Sequence, residues 1–168
     1  MDIGTWKEIT RSQFGAAIDM LENAIKLCPE DLWADRSKKH ELWYMAHHTL
    51  FWLDLYLYGS IEGFRPPEPF GLEELDPKGV LPERVYSKTE LLSYLKYCRK
   101  RCRQSLAELT EDSARRLCKF GRREISYAEL LLYNLRHVQH HTAQLNLLMR
   151  LAIDKAPRWV GRSQTLDP

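Results

Sequence analysis

At 168 residues the chain is long enough to bury a sizeable core without staples, and one domain over residues 1–168 is expected. Hydrophobic residues at 44% and charged ones at 29% suit an ordinary globular protein, and a formal net charge of +2 gives no reason to expect nucleic acid or an anionic membrane as partner. The start, Met1-Asp2-Ile3-Gly4, has no basic stretch ahead of an apolar one, so no secretory leader is expected, and the four cysteines are expected as reduced thiols in a cytoplasmic protein.

Trp6 to about Cys28 carries apolar residues at helical spacing: Trp6, Ile9, Phe14, Ala17, Ile18, Leu21, Ala24 and Ile25. Pro29 stops this first predicted helix. A polar connection, Glu30 to Lys39, leads to a second helix over about Glu41 to Tyr58, closed by Gly59. The stretch from Leu42 to Tyr58 is apolar nearly all round, yet short for a membrane span and interrupted by His47, His48 and Asp54. A helix without a polar face needs cover on more than one side, which points to the core on one face and a second subunit on the other. A homodimer through this helix is therefore expected.

Residues 59–86 hold five of the eight prolines, a density that rules out a long helix. This is the expected crossover, and an ordered loop of such length is often part of a binding site. Ser87-Lys88-Thr89-Glu90 has capping-box spacing and opens a third helix to about Leu109. Residues 110–117 predict a short helix, and Phe120-Gly121-Arg122 a turn. Ser126-Tyr127-Ala128-Glu129 repeats the capping pattern and opens a fourth helix to about Ile153. With no internal repeat and no strand alternation, the expected fold is all-α: a four-helix bundle with a long proline-rich crossover between helices two and three.

The chemistry sits in the histidines. His137 and His141 are four apart, so they lie one above the other on a single helical face, the spacing at which two imidazoles chelate one metal. Val138, Gln139 and His140 lie between them, so the glutamate base of the HExxH peptidases is missing. Gln144 continues the same stripe. Polar groups inside a core-facing stripe must be satisfied, and a metal is one way to do so. A metal site wants a third protein ligand, and helix two offers His47 and His48, between which spacing does not choose. His40 and His140 read as structural. Asp54 lies about 240° around the helix from His48 and reads as a supporting or interface group rather than a ligand.

The segment Leu135-Arg136-His137-Val138-Gln139-His140-His141-Thr142-Ala143-Gln144-Leu145, together with Ala46-His47-His48-Thr49-Leu50-Phe51-Trp52-Leu53-Asp54-Leu55-Tyr56-Leu57, resembles the DinB/YfiT-like superfamily. The ending Ala156-Pro157-Arg158-Trp159-Val160 is also similar to that family. The resemblance implies a four-helix bundle holding one divalent metal on a histidine of helix two and an HxxxH pair of helix four. In that register the ligands are His48, His137 and His141, and His47 takes the preceding aromatic position.

Three neutral imidazoles suit zinc or nickel first, and leave the ion its full charge with open positions for water or thiol. A metal-dependent hydrolase or thiol S-transferase acting with a low-molecular-weight thiol is one expectation. A metal-stabilised or metal-sensing, stress-related binding protein without catalysis is the other. A closed site with a fourth protein ligand would mark the latter. Lys96-Tyr97-Cys98-Arg99-Lys100-Arg101-Cys102-Arg103 combines basic residues with a CxxxC pair. Both cysteines continue the apolar face of helix three, so they read as small buried hydrophobes and the basic residues as a solvated face.

Overall fold

The computed structural model describes residues 2–36 and 41–166. Among the described residues the chain forms α1 Ile3–Leu27, α2 Glu30–Trp33, α3 Leu42–Tyr58, α4 Lys88–Glu108, α5 Glu111–Arg115 and α6 Tyr127–Ile153, with a hairpin of β1 Leu117–Phe120 and β2 Arg123–Ser126 ahead of α6. It is mostly helical, and none of the described helices is long and apolar enough to cross a membrane.

Local chemistry sets the helix ends. Asp2 Oδ1 accepts the Thr5 amide at 2.9 Å and starts α1, and Pro29 follows its end. Ser87 and Glu90 cap each other's backbone amides, so the capping box expected at α4 is present. Ser126 Oγ accepts the Glu129 amide at 3.2 Å and opens α6. Gly59 ends α3 with φ +83°, the left-handed conformation that costs glycine nothing, and its N–H reaches Leu55 O at 3.0 Å.

The four long helices pack so that α3 lies against α4 and α6, and α1 against the same two. Phe14, Ile18, Leu21 and Ile25 of α1 meet Leu50, Leu53, Leu91, Leu95, Leu130, Val138 and Met149 in one continuous core. Cys98 and Cys102 are fully buried within it, as small hydrophobes. Asp54 is buried too. Its carboxylate accepts from Arg101 at 2.8 Å and from the Tyr94 hydroxyl at 3.1 Å, which ties α3 to α4. Burial outweighs both partners and pushes its pKa up to about 6.

Two sequence expectations need correction. The polar connection after Pro29 contains α2, whose Leu32 and Trp33 are buried; Trp33 Nε1 donates to Tyr86 O at 2.9 Å. Residues 117–126 form a hairpin where no strand was expected: Cys118 pairs with Ile125 across it, and Gly121 at the turn has φ +61°. Four-residue strands are too short to show alternation. On α3, Phe64, Leu72 and Leu75 from the segment between α3 and α4 cover Phe51 and Leu55, and Phe70 stacks on Tyr94 at 4.4 Å. Part of the apolar surface of α3 therefore meets the chain's own proline-rich segment.

The basic run on α4 is likewise not simply solvated. Arg99 bridges to Asp19 and Glu22 of α1, and Arg101 to Asp54. The chain beyond α6 returns across this region: Ser163 Oγ donates to Asp19, Thr165 Oγ1 donates to Asp19 at 3.0 Å, and Leu166 is fully buried. Gly15 makes room for it, since a Cβ there would stand 3.0 Å from Ser163 Cβ.

Candidate metal centre

Helical periodicity places His137 and His141 on one face of α6, with ring centroids 4.5 Å apart. His48 of α3 faces them, 5.4 Å from His137 and 4.8 Å from His141. One ring nitrogen from each of the three lies within 4.8 Å of the others, the one such group among the described residues. Tetrahedral metal–nitrogen bonds of about 2.1 Å set ligand nitrogens roughly 3.4 Å apart, so each ring needs to move inward by no more than about an ångström.

Two of the rings are already oriented. His48 Nδ1 lies 2.6 Å from Glu74 Oε2, and His141 Nδ1 lies 2.7 Å from Gln144 Oε1. Both partners are acceptors, so each Nδ1 carries the proton and each Nε2 keeps a free lone pair. His137 Nδ1 is buried without a partner. Burial, reinforced by His141 and His48, pushes the His137 pKa down to about 3; burial and then His48 lower His141 as well. Both are therefore neutral near pH 7, the form in which imidazole binds a metal. On the donor set and its neutrality, the residues fit a divalent ion.

A family model for the DinB superfamily matches residues 13–145, a stretch that includes all three histidines. The chain belongs to the DinB superfamily. No curated protein and no solved structure matches it.

In this DinB-superfamily chain the structure chooses between the two histidines of α3. His48 joins the pair from α6. His47 points about 100° away, fully buried, stacked on Phe70 at 5.8 Å and beside Tyr86 at 4.9 Å, with both ring nitrogens lacking a hydrogen bond. Burial pushes its pKa down to about 4. His140 is exposed with its ring 5.0 Å from His141, outside the group. His40 lies outside the described residues. Asp54 turns toward α4, so it is not a ligand.

Glu74 is the residue that sequence reasoning missed. It belongs to a 3-10 turn, Glu73–Leu75, within the proline-rich segment, and its side chain is 4% exposed. Oε2 also accepts from Trp52 Nε1 at 2.9 Å, Tyr44 lies beside the same carboxylate, and Oε1 is buried without a hydrogen bond. Burial alone would raise its pKa, but the contact with His48 first, then those with Tyr44 and Trp52, hold it below the usual range.

A cavity of about 380 Å³ opens on two of the three, the His48 and His141 rings, and is lined besides by Tyr44, Met45, Leu81, Glu41 and Gln144. Glu41 in its wall is occupied, accepting from Trp43 Nε1 and standing 3.7 Å from the Arg36 guanidinium. On the other side of His137, Tyr56 sits edge-on at 5.9 Å and packs against Tyr133. The hydrogen bond from Arg123 lowers the Tyr133 pKa.

Proposed function

We propose that the protein holds one divalent metal ion, zinc or nickel, on His48, His137 and His141, and is a metal-dependent thiol S-transferase. In this reading the four long helices form a four-helix bundle, and residues 59–87 are its crossover. The observation that carries it is a three-imidazole group whose His48 and His141 line a cavity, rather than one closed by a fourth protein ligand among the described residues.

A divalent ion on three neutral imidazoles supplies a Lewis acid that lowers the pKa of water or thiol bound to it. The chain's own residues then favour a thiol over water as nucleophile. Hydrolysis calls for a base to manage protons at the attacking water and the leaving group. Of the carboxylates beside the triad, Glu41 accepts from Trp43, and Glu74 spends Oε2 on His48 and Trp52 while its Oε1 is shut away from solvent. A thiol that has released its proton to solvent needs no further base to attack. Tyr44, Met45 and Leu81 provide an apolar wall for the electrophile.

The test has two stages. Elemental analysis of the purified protein should give about one metal per chain, and none above background in a His137→Ala/His141→Ala double variant. Wild type without metal after growth in metal-replete medium would overturn the site. The loaded protein is then offered low-molecular-weight thiols with an electrophilic co-substrate. Absence of turnover with every thiol would remove the transferase reading and leave a metal-binding protein without this chemistry.

A further inference from the structure

Tyr44, His48 and Trp52 are spaced four residues apart on one face of α3 and gather around the single carboxylate of Glu74, where His48 and Trp52 both pair with Oε2. That carboxylate arrives from a turn 26 residues beyond His48 and is almost completely buried. A loop can be tied to a helix by one surface ion pair. Burying an ionised carboxylate is unfavourable unless it is paired, and here His48 and Trp52 both take Oε2 while Oε1 stays buried without a hydrogen bond. Such a cluster goes beyond what anchoring requires. It holds the imidazole of His48 at a set angle in one tautomer.

We propose that Glu74 is the positioning residue of the metal centre, and that it couples metal occupancy to the order of the segment between α3 and α4. The inference rests on the reading of the three histidines as metal ligands. Fixing Nδ1–H of His48 on Glu74 presents Nε2 toward His137 and His141, and the carboxylate raises the basicity of that nitrogen. The partner of His141 is the neutral amide of Gln144, so the two sides of the site differ in charge. Leu81, in the wall of the cavity beside the triad, belongs to the same segment as Glu74. Whatever fixes Glu74 therefore also sets the shape of the space next to the metal. Coupling of this kind is reciprocal: a bound ion holds His48, His48 holds Glu74, and Glu74 holds the segment.

The experiment compares wild type with Glu74→Gln and Glu74→Ala, using zinc as the probe. Zinc affinity is measured by chelator competition, Tm is measured with and without zinc, and hydrogen exchange is followed over residues 59–87 in both states. Removal of a carboxylate partner of a ligating histidine is expected to weaken zinc binding about 10- to 100-fold in Glu74→Ala. Glu74→Gln, which keeps an acceptor oxygen and nearly the same shape, should lose less. Zinc should slow exchange in residues 59–87 of wild type and have little effect there in Glu74→Ala. A role limited to anchoring the loop would lower Tm equally with and without zinc and leave zinc affinity unchanged in both variants, and that result overturns the proposal. If Glu74→Ala does not fold, Glu74→Gln decides alone: unchanged affinity and unchanged zinc-dependent exchange refute positioning. Wild type that fails to bind zinc stoichiometrically would instead refute the ligand reading beneath it.

Discussion

Replacing His47 by phenylalanine should make the metal-free protein increasingly more stable than wild type as the solution is acidified. His47 has no exposed surface, no hydrogen bond to either ring nitrogen, and a pKa pushed down to about 4 by burial. An unfolded histidine titrates near 6.5, so between these values the unfolded chain binds a proton that the folded chain refuses. The folded pKa of this base is depressed; its contribution is therefore lost as pH falls below 6.5 and levels off below 4. At about 1.36 kcal/mol per pH unit, wild type loses roughly 2 kcal/mol at pH 5 and roughly 3 kcal/mol at pH 4 through this group alone. Phenylalanine removes the term. The neutral-pH difference combines the relief of two orphaned nitrogens with the fitting of a larger ring beside Phe51, Phe70 and Tyr86. The change with pH depends on neither. Other titrating groups, including His137 and Asp54, are common to both proteins and cancel. Urea titrations of chelator-treated wild type and His47→Phe at pH 7.5 and pH 5.0 give the quantity directly. A stability difference that stays constant to within about 0.5 kcal/mol would refute the assignment of His47 as a buried, neutral imidazole.

Arg101→Ala strands the Asp54 carboxylate and should cost about 3–5 kcal/mol at pH 8. Asp54 has its folded pKa raised to about 6, so the ionised form is the costly one and the loss should shrink below pH 6; equal losses in melts at pH 5 and pH 8 would contradict this. Leu166→Ala should destabilise by about 2 kcal/mol and speed proteolysis within residues 155–162, measured against an unchanged rate at the other loops. The thiols should resist modification in the native state, because burial pushes Cys28 up to about 11 and raises Cys98, Cys102 and Cys118. One thiol reacting with Ellman's reagent at pH 7.5 as fast as a free cysteine would show that an assigned burial is wrong.

What could be read in the sequence was what depends on neighbours along the chain. The i,i+4 pair His137 and His141, the Ser87 capping box and the stops at Pro29 and Gly59 are local, and each stands where periodicity put it. The choice between His47 and His48 was not local, because α3 is apolar on every side and both positions face protein. Family register pointed to His48, and the packing of α3 on α6 agrees. Glu74 was beyond reach. It is one of several acids in a proline-rich stretch with no period, and only the folding back of that stretch brings it to His48. The same fold-back covers Phe51 and Leu55 of α3, which composition could not foresee: it shows that an apolar surface must be covered but not by which segment. Arg99 and Arg101 read as solvated because Asp19, Glu22 and Asp54, which pair with them, lie on other helices.

The hydrogen bond from Trp52 to Glu74 has an optical consequence. The indole ring stands 6.2 Å from that of His48 and shares an acceptor with it, so a fluorophore is wired to one member of the three-histidine group. Copper or nickel arriving at the histidines would quench emission from Trp52 at this range, while a closed-shell ion such as zinc would change its intensity only through the shared carboxylate. The other tryptophans provide the constant background, with Trp159 exposed and emitting to the red. Trp52 would thus serve as a spectroscopic gauge of the proposed metal centre, readable in dilute solution without a label.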